Sequence, residues 1–316
     1  MRFLTYDEVD HDQVLQLHMA GFGWPLTEER MRLKVKHDER APKGFAFYAV
    51  KGKKVLGQIF ALRIPNTTRD GIEDVLGLAE VATTPGEARR GVATALMRRA
   101  EEVATEDGLR FSWLLTGRHL VAHALYRKLG YHEMTTFPRG FRHIPKRLDK
   151  PGGIELKPYR KAYSKRMTAI HDDYVDGGFG FTERQDNFFE MHIATEQIDK
   201  GNIKVARRGE EIVGFVVSHN RQGFPVFLEV AALDESDFKS IVRTVEAGHK
   251  GSLSMTASLV WKKQRQRFEA LGYKINPIHW YTLMAKPLGR GMSRDEMDRL
   301  YGFDEGRFVF LSMDGF

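Results

Sequence analysis

Four short stretches of this sequence recur once each, in the same order. Gly21-Phe22-Gly23-Trp24 returns as Gly178-Phe179-Gly180-Phe181, and AVKGKKVLG over Ala49–Gly57 returns as ARRGEEIVG over Ala206–Gly214, both at an offset of 157. Glu80-Val81-Ala82 returns as Glu229-Val230-Ala231 at 149, and Leu129-Gly130-Tyr131 as Leu271-Gly272-Tyr273 at 142. A falling offset with the order kept is what two homologous domains give when the second has shorter loops, whereas solenoid repeats are far shorter. The 316 residues suit two domains of about 150 each. Pro151-Gly152-Gly153 is the strongest linker signal. The expected division is therefore a first domain over 1–148, a linker over 149–153, a second domain over 154–288 and an extension over 289–316.

Within the first domain, β-prone and helix-periodic runs alternate, which argues an α/β (α+β) fold. Phe45–Val50 and Val55–Leu62 read as a hairpin around Lys51-Gly52-Lys53-Lys54, and Val75–Thr83 as a third strand. Val92, Leu96, Ala100 and Val103 recur at helical spacing, and Gly108 supplies the stop. Phe111–Leu115 reads as a strand, and a helix from about Leu120 to Leu129 ends at Gly130. In the extension, Ser293 and Glu296 have capping-box spacing for a helix to about Tyr301, and Arg307–Met313 reads as a terminal strand.

The segment Glu80–Thr94 carries the most chemistry. A β-prone run passes through Pro85-Gly86 into an amphipathic helix opened by Arg89, Arg90, Gly91, Val92, Ala93 and Thr94. The first N–H groups of a helix lack internal partners and sit at the positive end of its dipole, so a pyrophosphate can rest there if small residues let it approach. Gly91 and Ala93 give that access, and Arg89 and Arg90 add charge. The bland alternative is a plain turn with solvated arginines. The pattern is neither a P-loop nor a dinucleotide fingerprint, because the required lysine, hydroxyl and glycine spacing are missing.

These residues resemble the GNAT superfamily of N-acetyltransferases, in which a strand leads to Arg/Gln-x-x-Gly-x-Gly/Ala at the start of a long helix. Gly91 and Ala93 fall in place, while Ala88 stands at the usual Arg/Gln position. A second family motif, Ala-x-x-Leu-Tyr-x-x-Leu-Gly-Tyr/Phe, appears as Ala122 to Tyr131, with His119 where many members carry asparagine. The resemblance implies two domains, each a mixed twisted sheet flanked by helices. It also implies acetyl-CoA as acyl donor, transferred to a primary amine by direct attack and without a metal. Val81, Ala82 and Thr83 would pair with the pantetheine arm, Arg89–Thr94 and His119 would contact the cofactor, and Tyr126 would protonate the leaving thiolate. Glu80 is the favoured general base; His119, His123 and the chain's C-terminal carboxylate are alternatives. Phe22 and Trp24 match the segment that walls the acceptor site, or else pack as a hydrophobic lid.

In the second half, Phe238 and Ser240 replace Arg89 and Gly91, acids fill the turn, and Phe268 replaces Tyr126. Acids beside a phosphate site repel it, so this domain is expected to be degenerate. The absence of cysteine excludes a disulfide framework and a thiol nucleophile. No paired ligand spacing for zinc and no G-x-S-x-G elbow appears. The net charge of +7 favours anionic partners. Arg139, Arg142, Lys146, Arg147 and Lys150, near Phe137 and Phe141, keep open a non-catalytic nucleic-acid-binding module as the rival. The N-terminus lacks the apolar core of a secretory signal and no run reaches membrane-span length, so a cytoplasmic protein is expected. The acceptor is expected to be a small-molecule or peptide amine.

Overall fold

The computed structural model describes residues 1–276, 280–289 and 293–315. The first half runs β1 (Arg2–Leu4), α1 (His11–Phe22), α2 (Glu28–His37), β2 (Ala46–Lys51), β3 (Lys54–Thr68), β4 (Gly71–Thr83), α3 (Val92–Glu106), β5 (Phe111–Gly117), α4 (Val121–Lys128), β6 (His132–Thr136) and β7 (Arg139–His143). The second half follows with β8 (Glu155–Pro158), α5 (Ser164–Val175), α6 (Phe188–Ala194), β9 (Ile203–Arg208), β10 (Glu211–Arg221) and β11 (Phe224–Ala232). It closes with α7 (Glu235–Glu246), β12 (Leu253–Thr256), α8 (Lys262–Ala270), β13 (Lys274–Asn276), β14 (Tyr281–Pro287) and α9 (Arg294–Tyr301). No helix among the described residues is long and apolar enough to cross a membrane.

Two seven-stranded mixed sheets result, and they trade a strand. The first has the order β1-β2-β3-β4-β5-β14-β6, the second β13-β7-β12-β11-β10-β9-β8. Thus β14, from late in the chain, completes the first sheet between β5 and β6, while β7, from before the Pro-Gly cluster, completes the second between β12 and β13. The exchange is reciprocal down to single residues. Ser112 on β5 sits opposite Lys286 on β14, and Ser254 on β12 sits opposite Arg142 on β7. Tyr131 lies 2.7 Å from the Ser112 hydroxyl and donates to Glu101 on α3 (2.9 Å). Tyr273 repeats this with Ser254 and with Glu246 on α7 (2.8 Å). The visiting strand then supplies the cation in each case, Lys286 to Glu101 and Arg142 to Glu246. Leu-Gly-Tyr therefore recurs because each domain anchors its last helix turn on a buried serine, glutamate and borrowed base.

Each face of the first sheet carries its own apolar cluster. Val92, Leu96, Met97 and Ala100 of α3 pack with Leu76, Leu78 and Leu114 on one face. Val14 and Leu17 of α1, Met31 of α2 and Met297 and Leu300 of α9 cover the other. Ser293 caps α9 by accepting from the Glu296 N–H (3.2 Å). The segment after α9 differs from the expected strand over Arg307–Met313: its backbone pairing is limited to the isolated bridge from Phe308 to Phe179 and a 3-10 turn at Ser312–Asp314. Its alternation is real but serves two cores. Phe308 and Phe310 enter the first domain's cluster, and Val309, Leu311 and Met313 the second's. Apolar residues on both sides leave no polar face, which is why the stretch resembles a buried strand in sequence. Gly178 and Gly180 make room for it: a Cβ on Gly178 would lie 2.3 Å from Val309, and one on Gly180 2.2 Å from Phe308.

Candidate active site

The reacting end of the first sheet is made by an irregularity in β4. Leu78 pairs with Ala61 and Ala79 with Phe60, but Ala82 then pairs with Gln58, so β4 carries one extra residue. Glu80 absorbs it with a φ of 50°, a conformation uncommon outside glycine. The bulge also shifts the side-chain alternation. Leu78 and Val81 face α3, whereas Ala79 and Ala82 face α1 and α2. Glu80 is partly buried there, and burial pushes its carboxyl up to about 7, against the opposing pull of Lys34 on α2. Lys34 is itself drawn down by burial while Asp38 lies 3.3 Å away. A carboxylate with a pKa near neutrality is suited to accept and release a proton there.

Beyond the bulge, β4 and β5 part company. Their parallel pairing covers Leu76, Gly77 and Leu78 against Ser112, Trp113 and Leu114, yet β4 runs on to Thr83 and β5 to Gly117. The backbone of Glu80, Val81, Ala82 and Thr83 is therefore not paired with β5. At its end, α3 opens with Gly91 as N-cap at φ 80° and no side-chain cap, so the N–H groups of Val92, Ala93 and Thr94 begin the helix uncapped. Arg89 has a φ of 62° and is exposed. Arg90 is also exposed but pairs with Glu87 (3.0 Å), which Lys54 holds from the other side (2.7 Å). Two cations thus neutralise the one acid in the turn.

Tyr126 on α4 belongs to the cluster on the α3 face with Leu78, Leu114 and Val92, against which Val81 also packs. Burial raises its hydroxyl to about 12, so it stays protonated throughout the physiological range. His123, one helical turn away, is held by Glu133 on β6 (2.6 Å). The His119 ring meets Trp280 edge-on at 5.8 Å and lines an apolar cavity beside β5. Phe22 and Trp24 close the opposite side of the sheet around His18, at 5.1 and 4.5 Å between ring centroids. His18 is fully buried, its two ring nitrogens have no partner, and burial lowers it to about 4. Lys34 and His18 are the residues that sequence reasoning passed over. Lys34 lies in the mixed-charge helix EERMRLKVKH and His18 in an ordinary amphipathic one, so neither pattern distinguishes them from surface and core positions.

Residues 2–134 match the family described as an acetyltransferase (GNAT) domain. Solved structures align over 91% of the chain. They include a GCN5-related N-acetyltransferase from Kribbella flavida (17% identity, TM-score 0.70, 72% of that chain). A probable N-acyltransferase from Enterococcus faecalis V583 gives 14%, 0.67 and 71%, and a GCN5-related N-acetyltransferase from Anabaena variabilis ATCC 29413 gives 14%, 0.65 and 73%. No curated protein matches. The chain has the GNAT fold, used twice in tandem.

The second GNAT-like domain also has a one-residue bulge, one position earlier relative to the repeated motif and without a positive φ. On β11, Glu229 pairs with Val217 but Phe227 with Ser218, so this strand bulges at Leu228. Glu229, the counterpart of Glu80, is sealed. Arg184 donates two bonds to it (2.8 Å each) and a third to Asp314 (2.9 Å), and His171 lies 3.3 Å away. Burial works against its charge, but Arg184 outweighs it and holds the carboxyl at about 2. The start of α7 is occupied by its own acid, Asp234, which accepts from the Asp237 N–H (2.7 Å). Phe268 is buried against Tyr273 at the position of Tyr126. Among the described residues no group of three or more His, Asp or Glu is arranged to hold a metal.

Proposed function

We propose that the first domain is an N-acetyltransferase that takes an acetyl group from acetyl-CoA and passes it to a primary amine by direct attack, while the second is a non-catalytic copy. The observation that carries this reading is the conjunction, at one opening between β4 and β5, of free strand backbone, an uncapped helix start and two protonatable groups on opposite faces. The thioester supplies the activated acyl carbon. The backbone N–H groups of Val81, Ala82 and Thr83 can pair with the extended pantetheine arm and polarise the carbonyl. The start of α3, with Arg89 and Arg90, meets the pyrophosphate.

Glu80, on the face of Phe22 and Trp24, removes the proton that the attacking amine must lose, directly or through one water. Tyr126, on the α3 face, donates its proton to the departing thiolate, and its burial keeps that proton available at neutral pH. The sealed Glu229, self-capped α7 and Phe268 favour a single competent site per chain. Two of the five basic residues that suggested nucleic acid are engaged within the fold: Arg142 pairs with Glu246 (3.3 Å) and Arg139 donates to the Ala257 carbonyl (3.1 Å).

Tyr126→Phe tests the assignment. Turnover should fall by about 10²–10⁴, as for removal of a general acid, with acetyl-CoA affinity kept within about threefold. Unchanged turnover would exclude Tyr126 as the acid.

A further inference from the structure

A cavity of about 660 Å³ lies where the exchanged strands meet. Its walls come from both domains: Leu115 of β5 and Phe137 from the first, Phe141 of β7, Leu253 and Met255 of β12, and Tyr281 of β14. Leu115 immediately follows Leu114, the last β5 residue paired with β4, so it stands across the opening from Ala79 and Glu80. It also packs on the face that carries Phe22, Trp24 and Ala79. Leu115 therefore links the cavity wall to the end of the sheet at which β4 and β5 separate.

Its chemistry is distinctive. Its lining is mostly apolar or aromatic, and the titratable lining side chains among the described residues are His119, Arg139 and Tyr281, with no Asp or Glu. Three of its aromatic lining residues are left in water: Trp280 is 61% exposed, Tyr281 49% and Phe141 36%. Exposed large apolar residues gathered at one concave site mark a ligand surface, and the volume is that of a small-molecule pocket. Among the described lining residues a polycation would find no countercharge and would meet Arg139; an aromatic body would find a matching wall.

Resting on the transferase reading above, we infer that this cavity is the acceptor pocket and that it selects a monoamine borne on an apolar, aromatic body over a polyamine. The second domain then has a direct role in recognition, because β12 and the strand it captures build one wall.

Tryptamine and spermidine are the probes. Acetyl transfer should show a kcat/KM for tryptamine at least tenfold above that for spermidine. Phe141→Ala and Trp280→Ala, both at exposed positions outside the transfer machinery, should each raise the tryptamine KM about tenfold with kcat little changed, as loss of one aromatic anchor does. Calorimetric binding of tryptamine to the CoA-loaded protein reads the cavity without turnover, and both variants should weaken it. Binding without any transfer would support the cavity and overturn the transferase reading. Preference for spermidine, or tryptamine affinity untouched by both substitutions, would overturn the inference.

Discussion

Replacing Glu80 with glutamine tests the reacting centre by two independent readouts. Burial raises this carboxyl from the ordinary 4.5 to about 7. A raised carboxylate pKa means that the native state holds its proton to higher pH than the unfolded chain does. The wild type therefore bears no penalty below about pH 4.5, acquires one as the pH rises to 7, and carries it in full above that. The shift corresponds to at most about 3 kcal/mol, since one pKa unit is about 1.36 kcal/mol. Glu80→Gln, which has no charge to bury, should match the wild type in urea denaturation at pH 4.5 and exceed it by up to that amount at pH 8. Turnover should move the other way. With an acceptor whose own pKa is below 6, wild-type kcat/KM should rise through a single limb near pH 7 and stay flat up to the alkaline range, because Tyr126 titrates only near 12. The variant should lose about 10²–10⁴ in rate and the limb with it. A variant that keeps the limb, or one whose stability advantage does not grow between pH 4.5 and 8, would refute the placement of an ionisable base at the bulge.

Two further predictions concern the second domain and the suture between the cores. Arg184→Met leaves Glu229 and Asp314 buried without their cation and should cost about 3–5 kcal/mol at pH 7 by urea unfolding. Because Glu229 is held at about 2, the wild-type contribution is present above the ordinary carboxylate pKa and is lost as pH falls toward 2, so the gap should narrow in acid; a loss below 1 kcal/mol would contradict the cluster's role. Gly180→Ala places a Cβ 2.2 Å from Phe308 at a φ of 92° and should destabilise by roughly 2–4 kcal/mol, where an unchanged thermal midpoint would show that the terminal segment is not seated there.

The repeated motifs foretold two copies of one fold, and the long helix came out at Val92–Glu106 with Gly108 at a φ of 82° behind it. Periodicity identified these because they are local. The strand exchange is not local. The residues of β7 and β14 would look the same in either sheet, and what commits them is an acidic partner far along the chain: the buried Glu246 for Arg142 and the partly buried Glu101 for Lys286. The site divides in the same way. The positions of Gly91 and Ala93 at a helix start and of Tyr126 on a helix were legible because motif spacing fixes them. The proton affinity of Glu80 was not, since it depends on a one-residue bulge and on a lysine brought in by α2. The fate of Glu229 was equally hidden: Arg184 and Asp314, which seal it, belong to a loop and a terminal turn with no counterpart motif in the first half. Alternation misled only at Phe308–Leu311, where two cores rather than a core and solvent set the pattern.

The most direct test of the central claim is calorimetric titration of acetyl-CoA into the intact chain and into Gly91→Glu. One site per chain, with binding lost when a carboxylate is placed at the start of α3, is the result expected if the first domain alone receives the cofactor. No binding would contradict the assignment of the β4/β5 opening, and two equivalent sites would contradict the closure of the second domain by Glu229, Asp234 and Phe268.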